Sequence, residues 1–329
     1  MKNWASVAAA AALVTAGSAV QAQVTLYGKV DLGVVHESGG EEGSVTKLST
    51  GAKQPSRLGV KATFDVGDGL KAKAQLETGV CADSANNPAG EYCTGGTFMG
   101  RRATLGLEGA FGEVSLGRQF TPGYLNVDAF DPFETGTAGQ STNLFSFAGL
   151  RGNNSILYAT PELGGFNGSL MVALGETPGD SSANRLVSAS AGYASGPVAA
   201  GIAYTERRAA DGTATKDGSL GARYDFGMAT LYGLVQRTTG RDQYLIGTRV
   251  PVGAGAVLAS YLRASDRSDA GNDASQIGVG YVRPINKVLQ AYAAYARISN
   301  KNAAAYKVGN ATDDGSGDSA LNLGLILTF

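Results

Sequence analysis

A closed, all-β, sixteen-stranded antiparallel transmembrane barrel is the fold this sequence predicts, and three features carry the prediction. Apolar residues alternate with polar or small ones in segment after segment. Short connections alternate with long ones along the chain. The last residue, Phe329, is aromatic and falls in step with Leu321, Leu323, Leu325 and Leu327.

The first residues stand apart from that pattern. Lys2 supplies positive charge, an alanine-rich apolar stretch runs from Ala5 to Ala16, and Val20-Gln21-Ala22 offers small residues for cleavage. That order marks a secretory signal. The apolar run is short of the roughly 20 residues a spanning helix needs. Residues 1–22 are therefore read as a cleavable signal peptide and 23–329 as the barrel, with Gln23 as the mature N-terminus.

Strand side chains point alternately to opposite faces, so a strand with two environments alternates in character. Leu58, Val60, Ala62 and Phe64 share one face, and Arg57, Lys61, Thr63 and Asp65 the other. Leu70, Ala72, Ala74 and Leu76 alternate with Lys71, Lys73, Gln75 and Glu77. The rhythm continues in 103–107, 166–174, 198–204 and 220–226.

Seven short turns are expected: 67–69, 109–112, 161–165, 195–196, 227, 251–255 and 284–287. Eight long polar loops are expected near 37–54, 79–97, 120–152, 175–185, 206–218, 238–242, 265–275 and 299–319. Such a meander gathers all turns at one end and all loops at the other, and gives about sixteen strands. An even number brings both termini to the turn end. The first strand, about 24–35, can then pair with the last and leave no open edge. Closure matters because a bilayer tolerates no unpaired backbone, so only helices and closed barrels cross it. Strands of about 9–11 residues, short turns and long outer loops suit an outer-membrane barrel. A secreted β-sandwich would also alternate, but the regular order of connections and the terminal aromatic argue against it.

Composition removes other classes. Lys and Arg total 27 against 28 for Asp and Glu, so no basic excess points to nucleic acid. No later segment reaches 18 consecutive apolar residues, which excludes a helical span. His36 is the single histidine. It sits where the first strand ends, so histidine-based catalysis or metal capture is not expected, nor any cofactor. Asp313 to Asp318 lacks the acidic spacing and distal glutamate of an EF-hand loop. In an exported chain Cys81 and Cys93 suit a disulfide better than a metal.

At this level the chain resembles the general, trimeric, sixteen-stranded porins of Gram-negative bacteria, in their beta-proteobacterial form. The resemblance lies in Val24-Thr25-Leu26-Tyr27-Gly28, Ser56 to Lys61, Gly67 to Ala72 and Arg101-Arg102. Phe111 to Val114, Leu116 to Gln119, Arg151 to Ile156 and Pro161 to Gly168 continue it in the same order. It implies a homotrimer in the outer membrane, contacting lipid and lipopolysaccharide, that passes ions and small hydrophilic solutes through a water-filled channel. Leu321 to Phe329 resembles the terminal strand read by the outer-membrane insertion machinery.

The resemblance also implies that the longest loop, Thr121 to Gly149, folds inward and narrows the pore. Asp128, Asp131 and Glu134 would line the opening, with Phe130 and Phe133 anchoring the loop to the wall. Arg57, Arg102 and Arg151 occupy the positions of the family's facing arginines. Parity independently turns Arg57 and Arg102 inward. Lys29, Lys61, Lys71, Lys73, Arg223 and Arg249 are further inward-parity cations, against Asp31, Asp65, Glu77 and Asp225. A lipid-facing Arg or Lys at midplane would cost about 2–4 kcal/mol, which a watery lumen avoids. Rings of charge bias ion passage, and the cation excess predicts a mild anion preference. Arg101 and Arg118 share the parity of lipid-facing neighbours; a strand end, bulge or subunit contact must accommodate them. The competing readings are a narrower solute-selective channel, a surface barrel with an adhesive or structural role, and an outer-membrane hydrolase. The last lacks a histidine base near any nucleophile.

Overall fold

The computed structural model describes residues 22–40, 43–83, 98–309 and 317–329. The signal segment up to residue 21, Cys93 of the cysteine pair, and residues 310–316 lie outside the described residues.

One antiparallel sheet of 17 segments closes on itself. β1 (Ala22–Gly40) pairs with β17 (Ser319–Thr328) along Lys29 to Ser38. Its other edge pairs with two segments, β2 (Gly43–Thr50) and β3 (Arg57–Gly67). β2 and β3 are thus one barrel strand broken at residues 51–56, and sixteen strand positions surround the lumen. After them come β4 (Leu70–Gly79), β5 (Arg102–Gly109), β6 (Gly112–Phe120), β7 (Arg151–Ala159), β8 (Phe166–Ala173) and β9 (Leu186–Ser195). The wall continues with β10 (Val198–Arg208), β11 (Ala214–Asp225), β12 (Thr230–Thr238), β13 (Arg241–Val252), β14 (Gly255–Asp266), β15 (Ala274–Pro284) and β16 (Leu289–Asn300).

The alternation reads onto this wall inside out. Leu58, Val60, Leu105, Leu116 and the row from Leu321 to Phe329 are exposed on the outer face. Gln119, Ser188, Gln243, Gln276 and Asn322 are buried on the inner one. Only an apolar solvent outside makes that arrangement favourable.

Several loops are shorter than their polarity suggests. The expected loop 37–54 is mostly strand, with Glu37 facing Val45 and Gly40 facing Gly43 across a hairpin. The expected loop 206–218 narrows to residues between β10 and β11, and Glu206 still pairs with Lys216 in the ladder. Strand pairing thus continues past the residues that alternate in the sequence. His36 is exposed there, its Nδ1 2.8 Å from Thr46 Oγ1.

Candidate pore constriction

After β6 the chain turns into the barrel. Thr121 caps α1 (Pro122–Ala129), its hydroxyl accepting from Tyr124 N, and Pro122 opens the helix where no N–H is needed. The remainder to Gly149 lines the inner wall. Asn126 donates to Ser219 Oγ at 2.8 Å, Gln276 Nε2 to Gly139 O at 3.1 Å, and Ala148 N to Asp217 Oδ2 at 2.7 Å. The ring of Phe130 lies so close to β11 that Gly221 has no room for a Cβ. Phe133 is likewise buried against the wall. Both aromatics anchor the loop.

A cavity of about 640 Å³ remains between this loop and the wall of β3 to β7. Arg57, Arg102 and Arg151 line it, and so do Asp128 and Glu134. Asp131 does not. It is 2% exposed and accepts hydrogen bonds from Phe133 N at 2.8 Å, Thr135 N at 3.2 Å and Ser141 N at 2.7 Å. The reading of Asp131 as a lining residue is corrected: three backbone donors draw its carboxylate into the loop, where it shapes the turn.

Two lining residues, Arg101 and Lys53, escaped the sequence reading, and so did the weight of a third. Arg101 is buried and its Nε lies 2.8 Å from Glu77 Oε1. Its parity misled because it precedes β5 and obeys no strand alternation. Lys53 comes from the break in the second barrel strand, and its Nζ is 3.1 Å from Glu134 Oε2. Glu77, read only as one more inward carboxylate, is a hub. Arg57 Nε is 3.6 Å away, and Tyr27 donates to it at 2.9 Å. Arg151 Nε donates to Arg101 O at 3.0 Å. Among the described residues neither Arg102 nor Arg151 has a carboxylate partner. The lining thus holds five cations (Lys53, Arg57, Arg101, Arg102, Arg151) against three carboxylates (Glu77, Asp128, Glu134).

The other lumen cations divide by position. Lys29 bonds Gln54 of the strand break, and Arg249 approaches Glu134 at 3.6 Å from the far wall. Lys61 lies 5.9 Å from the Tyr27 ring centroid. Lys73 is held by Glu108 at 2.8 Å and Glu113 at 2.5 Å, with Lys71 3.9 Å from Glu108, toward the turn end. Those two lysines are paired with carboxylates away from the cavity beside the loop. Arg118 is accommodated by a bulge in β6, where Gly117 takes φ +117° and the register with β7 shifts. Its Nε donates to Gly100 O at 2.5 Å at the loop end.

The loop carboxylates differ in their grip on a proton. Burial pushes Asp131 up to about 6, only partly offset by its hydrogen bonds. Burial also raises Asp128, and Glu134 adds to the effect. For Glu134 burial acts the same way, but Lys53, Arg249 and Lys29 outweigh it and hold the carboxyl below its ordinary value. Since folding raises Asp131, its contribution to stability grows as pH falls through about 6 and is lost as pH rises. Glu134 works oppositely: its stabilising pairing persists above the usual carboxylate range and disappears only as pH falls through the lowered value. Parent protein should therefore gain more thermal stability than Asp131→Asn between pH 7 and pH 5. Equal gains in a melting series would show that Asp131 titrates as an ordinary carboxylate.

The model of the Gram-negative porin family matches residues 7–303. The chain belongs to the Gram-negative porin family. Outer membrane porin protein 32 of Delftia acidovorans is 33% identical over 323 residues, covering 91% of this porin and 90% of that one. The solved anion-selective porin from Comamonas acidovorans superposes with a TM-score of 0.83 at 30% identity, covering 94% of this chain and 100% of its own. A trimer form of OmpT from Vibrio cholerae shares the fold, with a TM-score of 0.67 at 16% identity over 94% of this chain and 99% of that one. The porin forms a water-filled channel in the outer membrane of a Gram-negative bacterium, open to passive diffusion of ions and small hydrophilic solutes. Its family is one of channels, not of enzymes.

Proposed function

We propose that this porin is a general diffusion channel with a mild anion preference set at the cavity beside the inward loop. The observation that carries the reading is the excess of lining cations, two of them without a carboxylate partner among the described residues. Fixed charge between low-dielectric walls raises the local concentration of counter-ions. The similar porin from Comamonas acidovorans is anion-selective, which supports the same sign. Lys53, Arg57, Arg101, Arg102 and Arg151 attract the anion, while Glu77, Asp128 and Glu134 keep the preference modest. Reversal potentials across a planar bilayer in a potassium chloride gradient test this. Chloride should permeate faster than potassium, and a potassium-selective parent would overturn the assignment.

Assembly and processing belong to the same proposal. The mature chain starts at Gln23 after removal of residues 1–22, Cys81 pairs with Cys93, and Leu321 to Phe329 is the segment read by the insertion machinery. Three copies associate, in contact with lipid and lipopolysaccharide. The exposed leucine row ending in Phe329 supports the terminal-strand reading, and the trimer form of OmpT supports the trimer. Native mass measurement in detergent should give three times the mass of a chain beginning at Gln23. A purely monomeric species, or a retained leader, would contradict it.

A further inference from the structure

The cavity that holds the arginines has a second, apolar side. Phe120 stacks on Tyr124 with ring centroids 4.9 Å apart and an interplanar angle of 20°. Tyr124 meets Phe147 edge to face at 5.5 Å, and the Arg151 guanidinium lies 4.1 Å from the Phe120 centroid. The Tyr124 hydroxyl is tied to Thr135 Oγ1 at 2.8 Å, which fixes its ring. All three rings line the same 640 Å³ space as Arg57 and Arg102. Leu125, 47% exposed, and Phe120 also belong to a second cavity of about 410 Å³ beneath α1. Phe120 and Leu125 thus border both cavities and set apolar surface beside the arginines.

Such a wall gives nothing to a hydrated inorganic ion, which loses water beside it. It suits a solute with an anionic head and a flat apolar body. We propose that this cavity is a transit site for aromatic carboxylates, the carboxylate resting on Arg57, Arg102 and Arg151 and the ring on Phe120, Tyr124 and Phe147. The charge excess admits the anion and repels an aromatic cation. Offset and edge-on ring contacts then distinguish an aromatic acid from an aliphatic one of similar size. The Nε of Arg102, buried and without a hydrogen-bond partner among the described residues, leaves that guanidinium short of acceptors. A volume of this size accommodates a small aromatic acid with water to spare. The inference rests on the reading of this cavity as part of the permeation path.

The test uses the mature porin in planar bilayers, with chloride carrying the current and benzoate, cyclohexanecarboxylate or acetate added at equal concentration. Benzoate should interrupt the current with a residence roughly two- to tenfold longer than cyclohexanecarboxylate, the range ring contacts supply. Acetate should interrupt it least. The ratio of benzoate to cyclohexanecarboxylate should shrink in Phe120→Leu and in Tyr124→Leu. If either fails to insert, Phe147→Leu reads the same ratio from a different part of the loop. Equal residence of the two ring acids in the parent, or a ratio that survives every variant, overturns the proposal while leaving an anion-preferring porin intact. A parent without anion preference would instead undo the constriction reading beneath it.

Discussion

The double variant Arg57→Gln, Arg102→Gln should lose the anion preference altogether, and adding Arg151→Gln should carry the channel over to potassium. The lining holds five cations and three carboxylates, so removing two cations leaves it balanced and removing a third leaves it negative. Each single substitution should move the reversal potential part of the way in the same direction. These side chains are suitable for the test because none is the sole partner of a buried carboxylate. Glu77 keeps Arg101 at 2.8 Å when Arg57 is lost. Arg101→Gln is a poorer probe, since it would strip a buried carboxylate of its nearest cation. The effect should be largest in dilute salt, because charges are screened over about 8–10 Å near physiological ionic strength and about 3 Å at molar salt. Reversal potentials that do not move in either single variant would remove Arg57 and Arg102 from the narrow region.

Parity is a good guide wherever the chain is regular strand and a poor one elsewhere. Arg57 and Arg102 open β3 and β5, and Leu58, Leu105 and Leu107, of the opposite parity, face outward as alternation requires. Arg101 stands one residue before β5, so the rule that would send it into lipid does not apply. Lys53 lies in what reads as an outer loop. A signal is present in Gly51 and Pro55, since glycine and proline punctuate strands and mark interruptions in an otherwise alternating run. Nothing in the residue types, however, says that such an interruption folds inward and not outward. Asp128, Asp131 and Glu134 look alike in sequence. Their roles separate only through backbone geometry: three N–H groups converge on Asp131 and none of that is legible in composition. The ends of the loops are misjudged for a different reason, because the wall stops alternating before it stops pairing.

Asp31→Ala should widen the pore and weaken its anion preference, although Asp31 does not line the cavity. Its carboxylate accepts from Lys53 N at 2.8 Å and Gln54 N at 2.6 Å, both in the broken strand, and from the Tyr292 hydroxyl at 2.7 Å. Its carbonyl also accepts from Gly51 N at 3.0 Å. The break is therefore pinned to β1 mainly at this residue, with Lys29 adding a bond to Gln54. Pinned there, it sends Lys53 to Glu134 and holds the loop through Thr137 N, which donates to Ala52 O at 2.7 Å. Truncation at Asp31 leaves three donors without their acceptor, and the two buried ones cost about 1–3 kcal/mol each. The segment can recover those bonds only by moving toward water. Lys53 would then leave the lining, Glu134 would lose its nearest cation, and the loop would lose the contact at Ala52. Single-channel conductance should rise, the reversal potential should shift toward potassium, and the barrel should unfold at lower temperature in detergent. Tyr292→Phe separates the causes: it removes one bond to Asp31 and leaves both backbone bonds of the break in place. It should lower the melting temperature modestly and keep the parent's conductance. If Asp31→Ala conducts and selects as the parent does, the position of Lys53 is set by its pairing with Glu134 and not by the anchor on β1.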